Sequence, residues 1–110
     1  MAEARHLLDA EALWAYLRRD PGYEEVRQAL RDGAAIDTVS LAAVLSRVKA
    51  SGRDPAAIHL MLRALGLDVV PVEEADALEM AGMDPALPLE ARAARAVARR
   101  LGLGLVEVGP

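Results

Sequence analysis

Apolar residues recur at helical spacing along most of the chain. Leu41, Val44, Leu45 and Val48 form one stripe, and Ile58, Met61, Leu62 and Leu65 form the next. This is the pattern of amphipathic helices that each turn one face to a core. Tyr23, Val26 and Leu30 mark an earlier helix, Ala75 and Leu78 a weaker one, and Ala91, Ala94, Ala98 and Leu101 the last, while residues 10–17 open the series. Between these segments lie short β-compatible runs at residues 5–8, 35–39, 67–72 and 103–108, which predict four strands. Asp20-Pro21, Asp54-Pro55 and Asp84-Pro85 each place a side-chain acceptor before a proline suited to the first helical position. Gly33, Gly52, Gly66 and Gly102 follow helical stretches as stops.

Strands alternating with helices predict right-handed crossovers and a sheet covered on both faces. The expected fold class is therefore α/β, a three-layer α/β/α sandwich around a central, mostly parallel four-stranded sheet. With 110 residues, 54% of them hydrophobic, the chain suffices for one core and one domain, residues 1–110. Met61, Met80 and Met83 read as flexible core filling rather than a ligand pocket.

Composition narrows the function classes. Cys is absent, which removes disulfides, thiolate nucleophiles and cysteine-based zinc sites. A net charge of −4 gives no global attraction to nucleic acid or an anionic membrane, so either contact needs a local basic patch. Apolar stretches fall far short of the ~20 residues of a membrane span, and no signal-peptide series opens the chain. The expectation is a soluble protein of cytoplasmic type with no membrane partner.

Asp9 closes the first strand-like run and opens the first helix, so its carboxylate is expected on the rim of the sheet, where open α/β folds do their chemistry. Capping of that helix explains the residue equally well. Four segments follow one another in order: Leu7-Leu8-Asp9-Ala10-Glu11-Ala12-Leu13, Thr38-Val39-Ser40-Leu41-Ala42-Ala43-Val44-Leu45, Leu65-Gly66-Leu67-Asp68-Val69-Val70-Pro71, and Leu87-Pro88-Leu89-Glu90-Ala91-Arg92-Ala93 running into Ala98-Arg99-Arg100-Leu101-Gly102-Leu103. Their order resembles the PIN-domain family, and within it the small VapC-like toxins of bacterial toxin–antitoxin pairs. The likeness covers nearly the whole chain, which is short at the C-terminus by comparison with the family.

The resemblance implies a metal-dependent ribonuclease that gathers acidic side chains at one end of the sheet. Such chemistry needs hard oxygen ligands for Mg²⁺ or Mn²⁺, which neutralises phosphate charge and activates water. Carried over position by position, the first family acid falls on Asp9, while the others fall on Ala43, Ala91 and the neighbourhood of Gly109. Asp9 is thus the one family acid retained. Glu90, Glu107 and Glu11 lie near enough in sequence to stand in as substitutes. Glu90 is rotated by about 100° from Ala91 on a helix, and Glu11 suits the positive end of the first helix.

Other singled-out residues have plain structural readings. Ser40 is expected to start the third helix, with Ala43 in the slot of a capping-box glutamate. Arg92, Arg95, Arg99 and Arg100 form a solvated helix stripe, or else an RNA track. His6 and His59 are isolated, and Trp14 and Tyr16, two apart on a helix, cannot share a face. The resulting expectation is a degenerate, non-catalytic PIN-like protein, a pseudoenzyme without a cofactor, that acts through protein–protein binding. The partner is a second copy in a homodimer or an antitoxin-like protein, with Trp14 and Leu60 as contact residues. The alternative is an active endoribonuclease in which Asp9, with Glu90, Glu107 or Glu11, holds Mg²⁺ or Mn²⁺. A third reading is RNA binding without cleavage through the Arg92–Arg95–Arg99 face.

Overall fold

The computed structural model describes residues 3–108. In chain order its elements are β1 (His6–Leu8), α1 (Ala10–Arg18), α2 (Tyr23–Asp32), β2 (Ala34–Asp37), α3 (Thr38–Ala50), α4 (Pro55–Ala64), β3 (Asp68–Val70), α5 (Glu74–Ala81), α6 (Leu89–Leu101) and β4 (Gly104–Val106). All strand pairings are parallel, and the sheet order is β3-β2-β1-β4. The expected α/β sandwich with four parallel strands is therefore the observed one.

Alternation along the strands builds the layers. Leu8 and Ile36 point into a core completed by Leu13 of α1, Val26 of α2, Val44 and Val48 of α3, and Ile58 and Leu62 of α4. Their neighbours Leu7 and Ala35 point the other way, against Ala94, Val97 and Ala98 of α6. Ala93 and Ala96 of the same helix meet Met80 of α5. The small side chains of α6 let its backbone approach both the sheet and α5, so alanine is the packing residue on that side.

Three helix starts differ from the sequence expectation, each for a local reason. Asp54-Pro55 does open α4, with the Asp54 carboxylate accepting from Ala56 N–H. Asp20-Pro21 instead forms a turn closed by Tyr23 N–H to Asp20 O, and α2 is capped by Gly22. Gly22 has φ of +100°, and a Cβ there would lie 2.6 Å from the Val108 side chain, so both the turn and the packing require glycine. Asp84-Pro85 likewise stays a turn, with Asp84 accepting from Ala86 and Leu87. A helix begun at Pro85 would need an N–H from Pro88 to bond back to Asp84, and proline has none. Finally, α3 starts at Thr38 rather than Ser40, because the Asp37 carboxylate takes the capping role. Ala43 consequently lies in the second turn of α3 and not in a capping-box slot.

Two apolar assignments are also corrected. Met61 and Leu65 are exposed rather than core-facing, because α4 packs through the narrower stripe of Ile58 and Leu62. On α5 the buried residues are Asp76 and Met80, while Leu78 is exposed. Asp76 is tolerated inside because the Arg100 Nε donates to both its oxygens at 2.9 and 3.1 Å and Glu73 N–H donates at 2.8 Å.

Candidate functional site

The chain places β2 and then β3 on one side of β1, and returns to place β4 on the other. The switch point between β1 and β4, at the carboxyl ends of the strands, is where an α/β sheet opens a crevice. Leu8 pairs with Val106 across these strands, so the residues that follow, Asp9 and Glu107, emerge side by side on the rim. Asp9 N–H donates to Val106 O at 3.3 Å and fixes that placement.

Asp9 also caps α1: its Oδ1 accepts from Ala12 N–H at 2.8 Å. Burial pushes its carboxyl up from the ordinary carboxylate range, against the Ala12 N–H; Glu107 and Glu11 push further in the same direction, while Arg95 opposes them. One strand over, Asp37 ends β2 level with Asp9. It is fully buried. Its oxygens accept from Ser40 N–H at 2.9 Å and Ser40 Oγ at 2.7 Å, and burial raises its carboxyl despite these donors. Ser40 Oγ also lies 3.3 Å from the Glu90 carbonyl oxygen, which joins the first turns of α3 and α6 at the rim.

Of the substitute acids, Glu11 and Glu107 are engaged by arginines. Glu11 receives a short hydrogen bond from Arg47 of α3. Glu107 lies 3.7 Å from Arg95 of α6. Glu90 contributes its carbonyl to Ser40, and its charge also acts on Arg47. Ala43 and Ala91 offer only methyl groups, and Gly109 lies outside the described residues. Among the described residues, no group of three or more His, Cys, Asp or Glu side chains is arranged to hold a metal ion. The donor set therefore does not fit a fixed divalent cation, which needs several unpaired oxygens converging on one point. Asp37 and Arg47 were missed in the sequence. The only signal for either was Asp37 directly preceding the helical stripe at Leu41, a position that also suits a cap.

Each arginine of the α6 stripe has a partner within the chain. Arg92 Nε donates to Leu87 O, Arg95 pairs with Glu107, Arg99 with Glu79, and Arg100 with Asp76, Glu73 and the carbonyl of Pro71. Trp14 is half-buried: it packs on the core and lies beneath both Arg18 and Arg47, each guanidinium 5.8 Å from the ring. Leu60 is exposed at 69%, as expected. His6 pairs with Asp32 at 3.4 Å and lines a polar cleft of about 280 Å³ with Glu25, Gln28 and Glu107.

A different concavity runs between α1, α2 and α4. Tyr16, Leu17, Tyr23, Met61 and Leu65 line one cleft of about 280 Å³. Tyr16 and Leu65 continue into a second cleft of about 190 Å³ with Leu30. The rings of Tyr16 and Tyr23 stack, 5.0 Å between centroids and 2° from parallel. Arg19 and Arg53 border the first cleft, and Arg27 and Arg31 the second. Sequence periodicity had assigned Met61 and Leu65 to the core, which hid this groove.

No family model matches the sequence, and no curated protein matches it. Solved structures do share the fold. A chain described as a toxin–antitoxin complex from Klebsiella pneumoniae superposes with a TM-score of 0.73 at 18% identity, covering 94% of this chain and 86% of that one. The Mycobacterium tuberculosis toxin VapC20, described as cleaving the sarcin–ricin loop, gives a TM-score of 0.69 at 15% identity, covering 96% and 99%. The fold is thus the PIN fold of VapC-type proteins, as the sequence resemblance implied.

Proposed function

We propose that this chain is a non-catalytic PIN-like protein that acts by binding a partner segment in the groove between α1, α2 and α4. The observation that carries the reading is the groove itself: exposed Met61 and Leu65 facing a stacked tyrosine pair, bordered by Arg19, Arg27, Arg31 and Arg53. In a chain of net charge −4, four arginines around an apolar cleft select an amphipathic segment whose polar face is acidic. One of the solved structures sharing the fold is described as a toxin–antitoxin complex, which supports an antitoxin-like protein as the source of that segment. The positions where the resemblance places three of the family acids lack a carboxylate, and of the substitute acids Glu11 and Glu107 are paired with arginines, which weighs against the nuclease alternative.

The test uses a labelled synthetic helix-forming peptide with leucines along one face and glutamates along the other. Fluorescence anisotropy is expected to show saturable binding that weakens with salt, and weaker binding of the same peptide with lysines in place of the glutamates. Equal affinity for the two peptides would remove the charge argument. A concentration-dependent dimer whose formation blocks the peptide would replace the partner with a second copy. RNA cleavage by the purified chain that needs Mn²⁺ and is lost in Asp9→Asn would overturn the non-catalytic reading.

A further inference from the structure

The rim at the β1/β4 switch point concentrates negative charge. Asp9 and Glu107 emerge there side by side, the partly buried Asp9 carboxylate feels both Glu11 and Glu107, and the charge of Glu90 acts on Arg47. Carboxylates crowded in this way need positive charge nearby, and in a metal-dependent site a divalent ion supplies it. Here the donors do not converge on such an ion, yet two guanidinium groups come from opposite sides. Arg47 reaches Glu11 from α3, and Arg95 reaches Glu107 from α6. These two contacts tie the start of α1 to α3 and the end of β4 to α6, and so bridge the switch point from both sides of the sheet.

We infer that Arg47 and Arg95 are the built-in counter-ions of this rim, standing where a divalent cation would otherwise be needed and keeping Mg²⁺ and Mn²⁺ out. A guanidinium suits this role because its charge is permanent, and its planar donors match a carboxylate edge. Each arginine also takes up oxygens that an ion would use as ligands. The Trp14 ring below Arg47, 5.8 Å from the guanidinium, limits where that side chain can go. The arrangement disfavours phosphate as well, since each guanidinium already faces a carboxylate. The inference is independent of the partner reading, because it concerns the opposite end of α1 from the tyrosine groove and its test contains no partner.

Calorimetric titration of MnCl₂ tests it. The wild-type chain is expected to show no saturable binding. The Arg47→Ala/Arg95→Ala double variant, with folding verified by its circular dichroism melt, is expected to gain saturable binding that Asp9→Asn then weakens at least tenfold. Arg47→Gln and Arg95→Gln keep much of the side-chain bulk and are titrated alongside, so that a folding defect in the double variant leaves folded chains to measure. Saturable Mn²⁺ binding by the wild type overturns the inference, as does a folded set of arginine variants in which none binds better than the wild type.

Discussion

At the rim, Arg47 and Arg95 each face a carboxylate, whereas Arg31 and Arg53 beside the groove have no carboxylate within ion-pair distance among the described residues. The rim lies where the fold places chemistry, and its charges are directed at one another. The groove lies away from the switch point, and its charges border apolar surface that is left open. The rim has two arginines and the groove four, Arg19, Arg27, Arg31 and Arg53, of which only Arg27 has an acidic partner, Glu24, among the described residues. On the proposed reading, the rim holds the layers together and the groove recognises a partner.

The strongest way to break this comparison is to put charge into the groove. Met61→Glu combined with Leu65→Glu should cost the acidic peptide about 3 kcal/mol of binding, roughly a hundredfold. The melting temperature should stay near the wild-type value, since both residues are exposed. Anisotropy and a thermal melt on the same preparation check both halves. A smaller effect is expected at the rim, and on stability rather than binding: Asp37→Ala removes the acceptor for Ser40 N–H and Oγ and should lower unfolding free energy by about 2 kcal/mol. Urea denaturation measures it. Asp9→Ala loses one capping bond and should cost about 1 kcal/mol, equally with and without Mn²⁺; a cost that grows when Mn²⁺ is present would return the rim to metal chemistry.

The finest distinction is in pH. Burial raises the carboxyls of Asp9 and Asp37 above their ordinary 3.8, so the folded chain holds those protons more tightly than the unfolded one. Stability from this pair therefore declines as pH rises from 3.8 through the raised values, and then levels off. Asp76 has the opposite sign. The hydrogen bond from Arg100 lowers its carboxyl, so its contribution is complete above the unfolded value and is lost as pH falls through the folded one. Unfolding measured from acid to neutral pH should show the first slope flattened in Asp9→Asn and Asp37→Asn, and the second flattened in Asp76→Asn.

Much of the architecture was legible because its signals are local. The β-compatible run at residues 5–8 announced a strand, and the Asp54-Pro55 pair announced a helix start that depends on nothing beyond its own turn. The same pair at Asp20 and Asp84 failed where a residue a few positions on, Gly22 or Pro88, decided the outcome. The rim was half legible: Asp9 could be placed from its strand-to-helix position, but Arg47 meets Glu11 across 36 residues of sequence, and no short-range pattern encodes that contact. The groove was hidden for a different reason. Periodicity gives the angular position of Met61 and Leu65 on α4 but not how wide a stripe the neighbouring helices cover.

The placement of the few aromatic side chains has an optical consequence. The sequence has one tryptophan, two tyrosines and no phenylalanine, and the structure divides them between the two regions. The indole of Trp14 lies under the Arg47 guanidinium, while both phenols form the stacked pair in the groove. Indole emission under selective excitation should therefore respond to events at the rim, and the near-ultraviolet dichroism of the coupled phenols to occupancy of the groove. An unlabelled sample thus carries a separate spectroscopic channel for each region.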